Sequence, residues 1–160
     1  MPEIGTMAQR VGDLLKSRGE TVAVAESSAG GLISAALLAV PGASAYFKGG
    51  ATVYTSDAKR LLLDLSAAAI VANRAATEAH ALDLARAARQ RLDADWGIGE
   101  SGAAGPTGNR YGDPAGHSAV GVAGAEERTT TVSTGSADRF ENMVAFAVAG
   151  LELLEECLRQ

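Results

Sequence analysis

The feature that most constrains the fold is the alternation of helical segments with short apolar strands. Apolar residues recur at helical spacing from residue 7 to 15 before a glycine, and residues 21–25 (TVAVA) are a β-branched run typical of a buried strand. Helices are also predicted at 32–40, 56–65, 77–92 and from about 137, and strands at 46–54, 96–100, 117–124 and 128–134. This alternation predicts an α/β fold, a three-layer α/β/α sandwich.

The spacing of the last two strands predicts a mixed sheet. Residues 117–124 and 128–134 are separated by only a few residues, and a connection this short joins antiparallel strands. Strands joined through helices run parallel, so we expect a mixed sheet of about five or six strands. Residues 101–116 contain five glycines and two prolines and are predicted to form a loop.

The composition excludes several classes of protein. With 160 residues and 47% hydrophobic content, the chain is sized for one domain with a core. A net charge of −5 and 4% aromatics disfavour binding to duplex or single-stranded nucleic acid. One cysteine and two histidines argue against a disulfide framework and a structural zinc site. No signal peptide or membrane span is visible, so we expect a cytoplasmic protein without a membrane partner.

The first candidate motif is the junction between a predicted strand and a helix, residues 24–31 (VAESSAGG). Ser27 stands where a hydroxyl either caps the helix or acts as a nucleophile. Glu26 lies at the carboxyl end of the strand, where α/β folds build sites. Gly30 and Gly31 allow a ligand to approach the backbone closely. Capping is the simpler alternative for the serine.

The second motif, residues 54–59 (YTSDAK), supplies a phenol, a hydroxyl and an amine. A partly desolvated lysine, Lys59, can act as the base for a serine nucleophile. Ser56 and Lys59 themselves form an S-x-x-K pair, which is an alternative catalytic pair. In the simplest interpretation, Ser56 caps the short helix and Lys59 is a solvated surface residue.

The third motif, residues 97–102 (GIGESG), matches G-x-G-x-x-G, but its first glycines lie inside a predicted strand and no helix follows. A dinucleotide site is therefore not predicted. The glycine-rich loop from Ser101 to Gly105 either holds an anion through backbone N–H groups or is a cluster of turns. His80 and His117 are interpreted as structural or solvent-facing, and Cys157 as a packing residue.

The ordered set of motifs resembles the CinA carboxy-terminal domain family, the nicotinamide mononucleotide deamidases. That family reads A-E-S-C-T-G-G, G-x-S-x-x-F-x-G-G, Y-S-N-x-x-K and T/S-G-I-A-G-P, where this chain has AESSAGG (25–31), GASAYFKGG (42–50), YTSDAK (54–59) and SGAAGP (101–106). The resemblance covers residues 7–158. It implies one domain of this type, without the amino-terminal domain of longer members.

The resemblance implies hydrolysis of nicotinamide mononucleotide to nicotinate mononucleotide and ammonia, without a cofactor or metal. It makes Ser27 the nucleophile, Lys59 its base and Tyr54 a supporting catalytic residue. Backbone N–H groups near Ala29–Gly31 could hold the oxyanion. The implied substrate-binding residues are Glu26, Gly30, Gly31, Ser101, Gly102, Gly105 and Arg139. We expect a homo-oligomer whose only other partner is this small-molecule nucleotide.

The chain also departs from the family pattern. Ala29, Ser56 and Ala103 replace a threonine, an asparagine and an isoleucine, and Met143 stands where the family has a second arginine. An arginine there would clamp a phosphate. We therefore expect weak nucleotide binding unless Arg139 faces the Ser27 site, with Arg110 and Lys48 as further replacements. The alternatives are a family member that binds a ligand or partner without catalysis, and a hydrolase that uses Ser56 with Lys59.

Overall fold

A computed structural model describes residues 2–160 as five strands and six α-helices. In chain order the elements are α1 (Pro2–Arg18), β1 (Val22–Glu26), α2 (Leu32–Leu38), a 3-10 turn (Ala43–Ala45), β2 (Phe47–Thr52), α3 (Ser56–Leu63), α4 (Ala67–Ala72), α5 (Glu78–Arg91), β3 (Trp96–Ala103), β4 (His117–Ala123), β5 (Glu127–Ser133) and α6 (Arg139–Leu158). The predicted elements are all present, with small differences at their ends. Helix α4 was not predicted, because its apolar sequence AAAIVA has no helical periodicity.

The strands form one mixed sheet in the order β2-β1-β3-β4-β5. Strand β1 is parallel to both of its neighbours, β2 and β3, whereas β4 is antiparallel to both β3 and β5. The prediction of an α/β fold with a mixed sheet is confirmed. The register pairs Glu26, the last residue of β1, with Glu100 of the central strand β3, so two acidic residues lie side by side.

Helices cover both faces of the sheet, which confirms the three-layer architecture. Alternate residues of β1 face opposite layers, Val22 and Val24 to one side and Ala23 and Ala25 to the other. On the first side α1, α2 and α6 pack around the large buried side chains Leu15, Ile33, Trp96, Phe146 and Leu154. On the second side α3 and α5 contribute Leu63, Leu84 and Ala88.

Helix α5 lies directly on β3 because two glycines make room for it. A Cβ at Gly97 or Gly99 would lie 2.0 Å from the carbonyl oxygen of Ala85 or Ala81, respectively. These two contacts show that α5 runs antiparallel to β3, so the first turn of α5 lies near the carboxyl end of β3. Thr77 caps this first turn, as predicted, by accepting a hydrogen bond from the His80 N–H at 3.2 Å.

Strand β3 is longer than predicted. It continues to Ala103 because Ser101 and Gly102 pair with Ala119 and Ser118 of β4. The prediction that the loop begins at residue 101 is therefore wrong. Gly102 belongs to β3, and its lack of a side chain allows β4 to pack closely against it. None of the helices in residues 2–160 has both the length and the apolar character needed to cross a bilayer.

Candidate active site

A buried glutamate holds the loop that contains Ser27. The Ser27 N–H donates to the Glu100 carbonyl oxygen at 3.1 Å and to its Oε1 at 3.0 Å. Oε1 also accepts from the Ala29 N–H at 2.8 Å, and Oε2 accepts from the hydroxyls of Ser28 and, at 2.8 Å, Ser118. The loop of residues 27–31 is thus fastened to β3.

Glu100 is fully buried, and burial raises the pKa of its carboxyl group. The hydrogen bonds from Ser28, Ala29, Ser118 and Ser27 act in the opposite direction, because they favour the carboxylate. The sequence interpretation missed this residue by treating it as the variable position of a glycine motif. The available signal was an acidic residue inside a segment predicted to be a buried strand.

Glu26 is also fully buried, and it fixes the start of α2. Its Oε1 accepts from the Ile33 N–H at 3.0 Å, and its Oε2 accepts from the N–H and the hydroxyl of Ser34, both at 2.9 Å. Gly31, at the N-cap position, supplies no side chain, so Glu26 satisfies these helix donors instead. Any contact of Glu26 with a substrate would have to form in addition to these hydrogen bonds.

Two of the predicted catalytic residues interact with Glu100, Ser27 through its backbone N–H and Lys59 through its charge. Lys59 is only 4% exposed, and its amine has no hydrogen bond or ion pair within residues 2–160. The Ser27 hydroxyl is likewise unpaired. In residues 2–160, the buried side-chain atoms without a hydrogen-bond partner are His80 Nε2 and Glu126 Oε1, so the Ser27 hydroxyl and the Lys59 amine retain access to solvent.

Burial lowers the pKa of Lys59, and the charge of Glu100 raises it by a smaller effect. A larger fraction of this amine is therefore neutral at a given pH than in a solvated lysine. No direct hydrogen bond joins the Ser27 hydroxyl to the Lys59 amine. The arrangement offers a free hydroxyl and a partly desolvated base around one carboxylate.

We expect Lys59→Met to stabilise the fold. Methionine has a side chain of similar length and removes an unpaired ammonium from a buried position. We therefore expect the free energy of unfolding to increase by about 1 kcal/mol. Because the pKa is lowered on folding, the unfolded chain binds more protons between the folded and unfolded pKa values. The stability of the parent protein should therefore rise with pH in that alkaline window.

Urea unfolding at several pH values measures this effect, and Lys48→Met is a control at a more exposed lysine. An equal pH dependence in Lys59→Met and the parent would show that the Lys59 amine does not titrate abnormally.

The alternative pair, Ser56 with Lys59, is not supported by the local structure. Ser56 is exposed, whereas Lys59 is buried. The residue that caps α3 is Thr55, whose hydroxyl accepts from the Ala58 N–H at 3.1 Å. The interpretation of Ser56 as the cap and Lys59 as a solvated residue is therefore wrong.

The first turns of α6 form the other side of the site. Arg139 donates to the carbonyl oxygen of Gly105 and, at 3.4 Å, to the hydroxyl of Tyr54, which is 61% exposed. Met143 lies one turn further along α6, and a Cβ at Gly30 would lie 2.5 Å from its methyl carbon. The helix face that carries Arg139 and Met143 thus covers the loop that contains Ser27.

The remaining predicted residues mostly have structural partners. The Ser101 hydroxyl accepts from the Ala76 N–H at 3.0 Å, and Ser101 is buried. The space for a Cβ at Gly102 is filled by the His117 carbonyl oxygen at 2.5 Å, so this glycine faces β4. Gly31 has φ +98, which favours glycine, and its Cβ position lies 3.4 Å from the Thr52 hydroxyl.

The structure narrows the predicted set of oxyanion donors. The N–H of Ala29 donates to Glu100, and the N–H of Gly30 donates to the Ser27 carbonyl oxygen at 3.1 Å. Within the loop, the N–H groups of Ser28 and Gly31 have no acceptor among residues 2–160. Ser28 and Gly31 are therefore the available donors, in place of Ala29 and Gly30.

No group of three or more His, Cys, Asp or Glu side chains suited to a metal ion occurs in the described part of the chain. The candidate chemistry is that of the Ser27 hydroxyl, the Lys59 amine and the backbone donors beside them.

Residues 4–158 match the model of the CinA C-terminal domain family. Two similar curated proteins are both named CinA-like protein. The one from Prochlorococcus marinus is 45% identical over 119 residues, and the one from Salinibacter ruber is 39% identical over 147 residues. The matches cover 74% and 92% of this chain but only 28% and 36% of those relatives.

Solved structures with the same fold extend over nearly the whole chain. A competence-damaged protein (CinA) superfamily protein from Klebsiella pneumoniae has a TM-score of 0.91 at 27% identity, and the match covers 98% of each chain. The competence/damage inducible protein CihA of Agrobacterium tumefaciens has a TM-score of 0.90 at 30% identity, covering 99% of this chain and 96% of that one.

Proposed function

The chain belongs to the CinA C-terminal domain family, and we propose that it is an amidohydrolase that converts nicotinamide mononucleotide to nicotinate mononucleotide and ammonia. The observation that carries this proposal is the pair of unpaired groups around Glu100, the Ser27 hydroxyl and the Lys59 amine. A serine becomes an effective nucleophile only when a base with a suitable pKa takes its proton. The lowered pKa of Lys59 suits it to that role.

In the proposed reaction the Ser27 oxygen attacks the carbonyl carbon of the carboxamide while Lys59 takes the hydroxyl proton. The N–H groups of Ser28 and Gly31 are free to stabilise the oxyanion. Collapse of the tetrahedral intermediate breaks the C–N bond, and Lys59 returns the proton so that ammonia leaves. Water then attacks the acyl-enzyme with Lys59 again as base, which releases the acid and restores Ser27.

Release of ammonia from nicotinamide mononucleotide by the purified protein tests this proposal. Free nicotinamide is the matched control, because it carries the same carboxamide without the ribose phosphate. We expect ammonia and nicotinate mononucleotide in equal amounts from the nucleotide. Absence of both products over a range of pH would contradict the amidase function.

Arg139 is the proposed contact for the substrate phosphate. It lies at the edge of the site on the helix face that covers the loop, and its guanidinium already reaches the Tyr54 hydroxyl. A charge-assisted contact of this type contributes roughly 1.5–3 kcal/mol. We therefore expect Arg139→Ala to weaken binding of the nucleotide about 10- to 100-fold.

Calorimetric titration with the nucleotide measures this loss, and Arg110→Ala tests the other arginine considered as a contact for the phosphate. Met143→Arg is expected to strengthen binding, since it adds a second guanidinium beside Gly30. Unchanged affinity in Arg139→Ala would place the phosphate elsewhere.

A ligand-binding protein without catalysis is the second candidate function. It is favoured by Met143, whose apolar side chain lies over Gly30 where a phosphate-binding arginine would be expected. This candidate predicts that the nucleotide binds in the titration but that no ammonia is released. Gain of turnover in Met143→Arg would then identify the chain as a member that has lost an enzymatic activity.

A further inference from the structure

One buried histidine next to the site has an unused ring nitrogen. His80, in the first turn of α5, is fully buried, and its Nδ1 lies 2.8 Å from the Asn73 carbonyl oxygen. A carbonyl oxygen can only accept, so Nδ1 carries the proton in the neutral ring and Nε2 is an acceptor. Nε2 is buried and has no partner within residues 2–160. Such an atom is rare in a native structure and calls for an explanation.

The packing of α3 on α5 brings Lys59 to the same place. Leu63 at the end of α3 packs with Leu84 in the middle of α5, and it lines one groove with Ala87 and Gln90 further along α5. Lys59, earlier in α3, acts through its charge on His80, earlier in α5, so the two helices run in the same direction. Lys59 lies one turn before Leu63, and His80 lies one turn before Leu84, so their side chains project toward a common region near the carboxyl end of the sheet.

The charges around the pair agree with this placement. Burial lowers the pKa of His80, and the positive charge of Lys59 lowers it further, whereas Asp83 on the same helix and the Asn73 carbonyl oppose the shift. Glu100 of β3 acts on Lys59. His80 is therefore neutral at neutral pH, with a lone pair on Nε2 and an ammonium donor nearby.

We propose that His80 is a positioning residue for Lys59, its Nε2 accepting a hydrogen bond from the Lys59 ammonium when Lys59 holds a proton. The inference rests on the proposed function in so far as Lys59 is the base. The bond is not formed in the structure, but the long lysine side chain can reorient. It would give the buried Nε2 of His80, which is otherwise unsatisfied, a hydrogen-bond donor from the protein. It would also hold the protonated amine near the leaving group.

The test compares His80→Leu, which removes the acceptor, with His80→Gln, which retains an acceptor near the position of Nε2. The pKa of the Lys59 amine is followed by NMR of side-chain ¹⁵N-labelled lysine, with Lys59→Met for assignment. Loss of the acceptor destabilises the ammonium, so we expect this pKa to fall by about one pH unit in His80→Leu and to recover in His80→Gln. The acidic limb of the kcat/KM profile should move with it.

An unchanged Lys59 pKa in folded His80→Leu overturns the inference. If His80→Leu does not fold, the reciprocal measurement decides, because the pKa of His80 should rise in Lys59→Met and would stay constant if the two groups do not interact. The outcomes separate this inference from the proposed function. A protein that releases no ammonia, but whose Lys59 pKa follows His80, supports the positioning role and contradicts the amidase.

Discussion

Ser27→Ala is expected to reduce turnover of nicotinamide mononucleotide by at least about 10⁴-fold, the scale seen when a serine nucleophile is removed. The fold should be unaffected, because the loop is held through the Ser27 backbone N–H, the Ala29 N–H and the Ser28 hydroxyl. The Ser27 hydroxyl has no such structural partner. Single-turnover ammonia release and thermal unfolding of the same preparation measure both properties.

Ser56→Ala is the matched control, since Ser56 is exposed at the start of α3 and supplies the alternative S-x-x-K pair. We expect it to retain the turnover of the parent protein. If Ser56→Ala lost activity while Ser27→Ala retained it, the assignment of the nucleophile would be reversed.

Glu100→Ala is expected to have the largest effect on stability, a loss of about 4 kcal/mol. The substitution removes the only acceptor of the Ala29 N–H and of two hydroxyls in a fully buried position, and it leaves the Ser27 N–H with the residue 100 carbonyl oxygen alone. Each buried donor left without a partner costs about 1–3 kcal/mol, reduced where the freed loop can reach water. The free energy of unfolding from urea titration measures the loss.

Ser118→Ala is the control for this prediction, because it removes a single donor from the same carboxylate and should cost about 1 kcal/mol. A Glu100→Ala protein as stable as Ser118→Ala would show that the carboxylate does not hold the loop.

The fold could be predicted from the sequence because its main signals are local. The alternation of helical and strand patterns is read within about ten residues, and the short connection between β4 and β5 is enough to fix a mixed sheet. Strand β3 was predicted too short because its end is decided by pairing with β4, which local sequence does not record. Thr55 rather than Ser56 caps α3 for a similar reason, since either hydroxyl fits the pattern.

The sequence predicted some residues of the candidate site and missed others. Ser27 and Lys59 stood out through their motifs, but Glu100 acts on residues more than 70 positions away in the chain. His80 was interpreted as structural or solvent-facing because nothing in its own segment indicates that the charge of Lys59 acts on it. Arg139 was chosen by its position in α6, and the structure adds its contacts with Tyr54 and Gly105.

The pairing of Glu26 with Glu100 on adjacent central strands has a consequence for local motion. These two buried carboxylates accept hydrogen bonds from the backbone amides of Ser27, Ala29, Ile33 and Ser34. Loops normally open far more often than the core, but these amides can exchange with solvent only when their contacts with β1 and β3 break. We therefore expect these four amides to exchange as slowly as amides of the core strands.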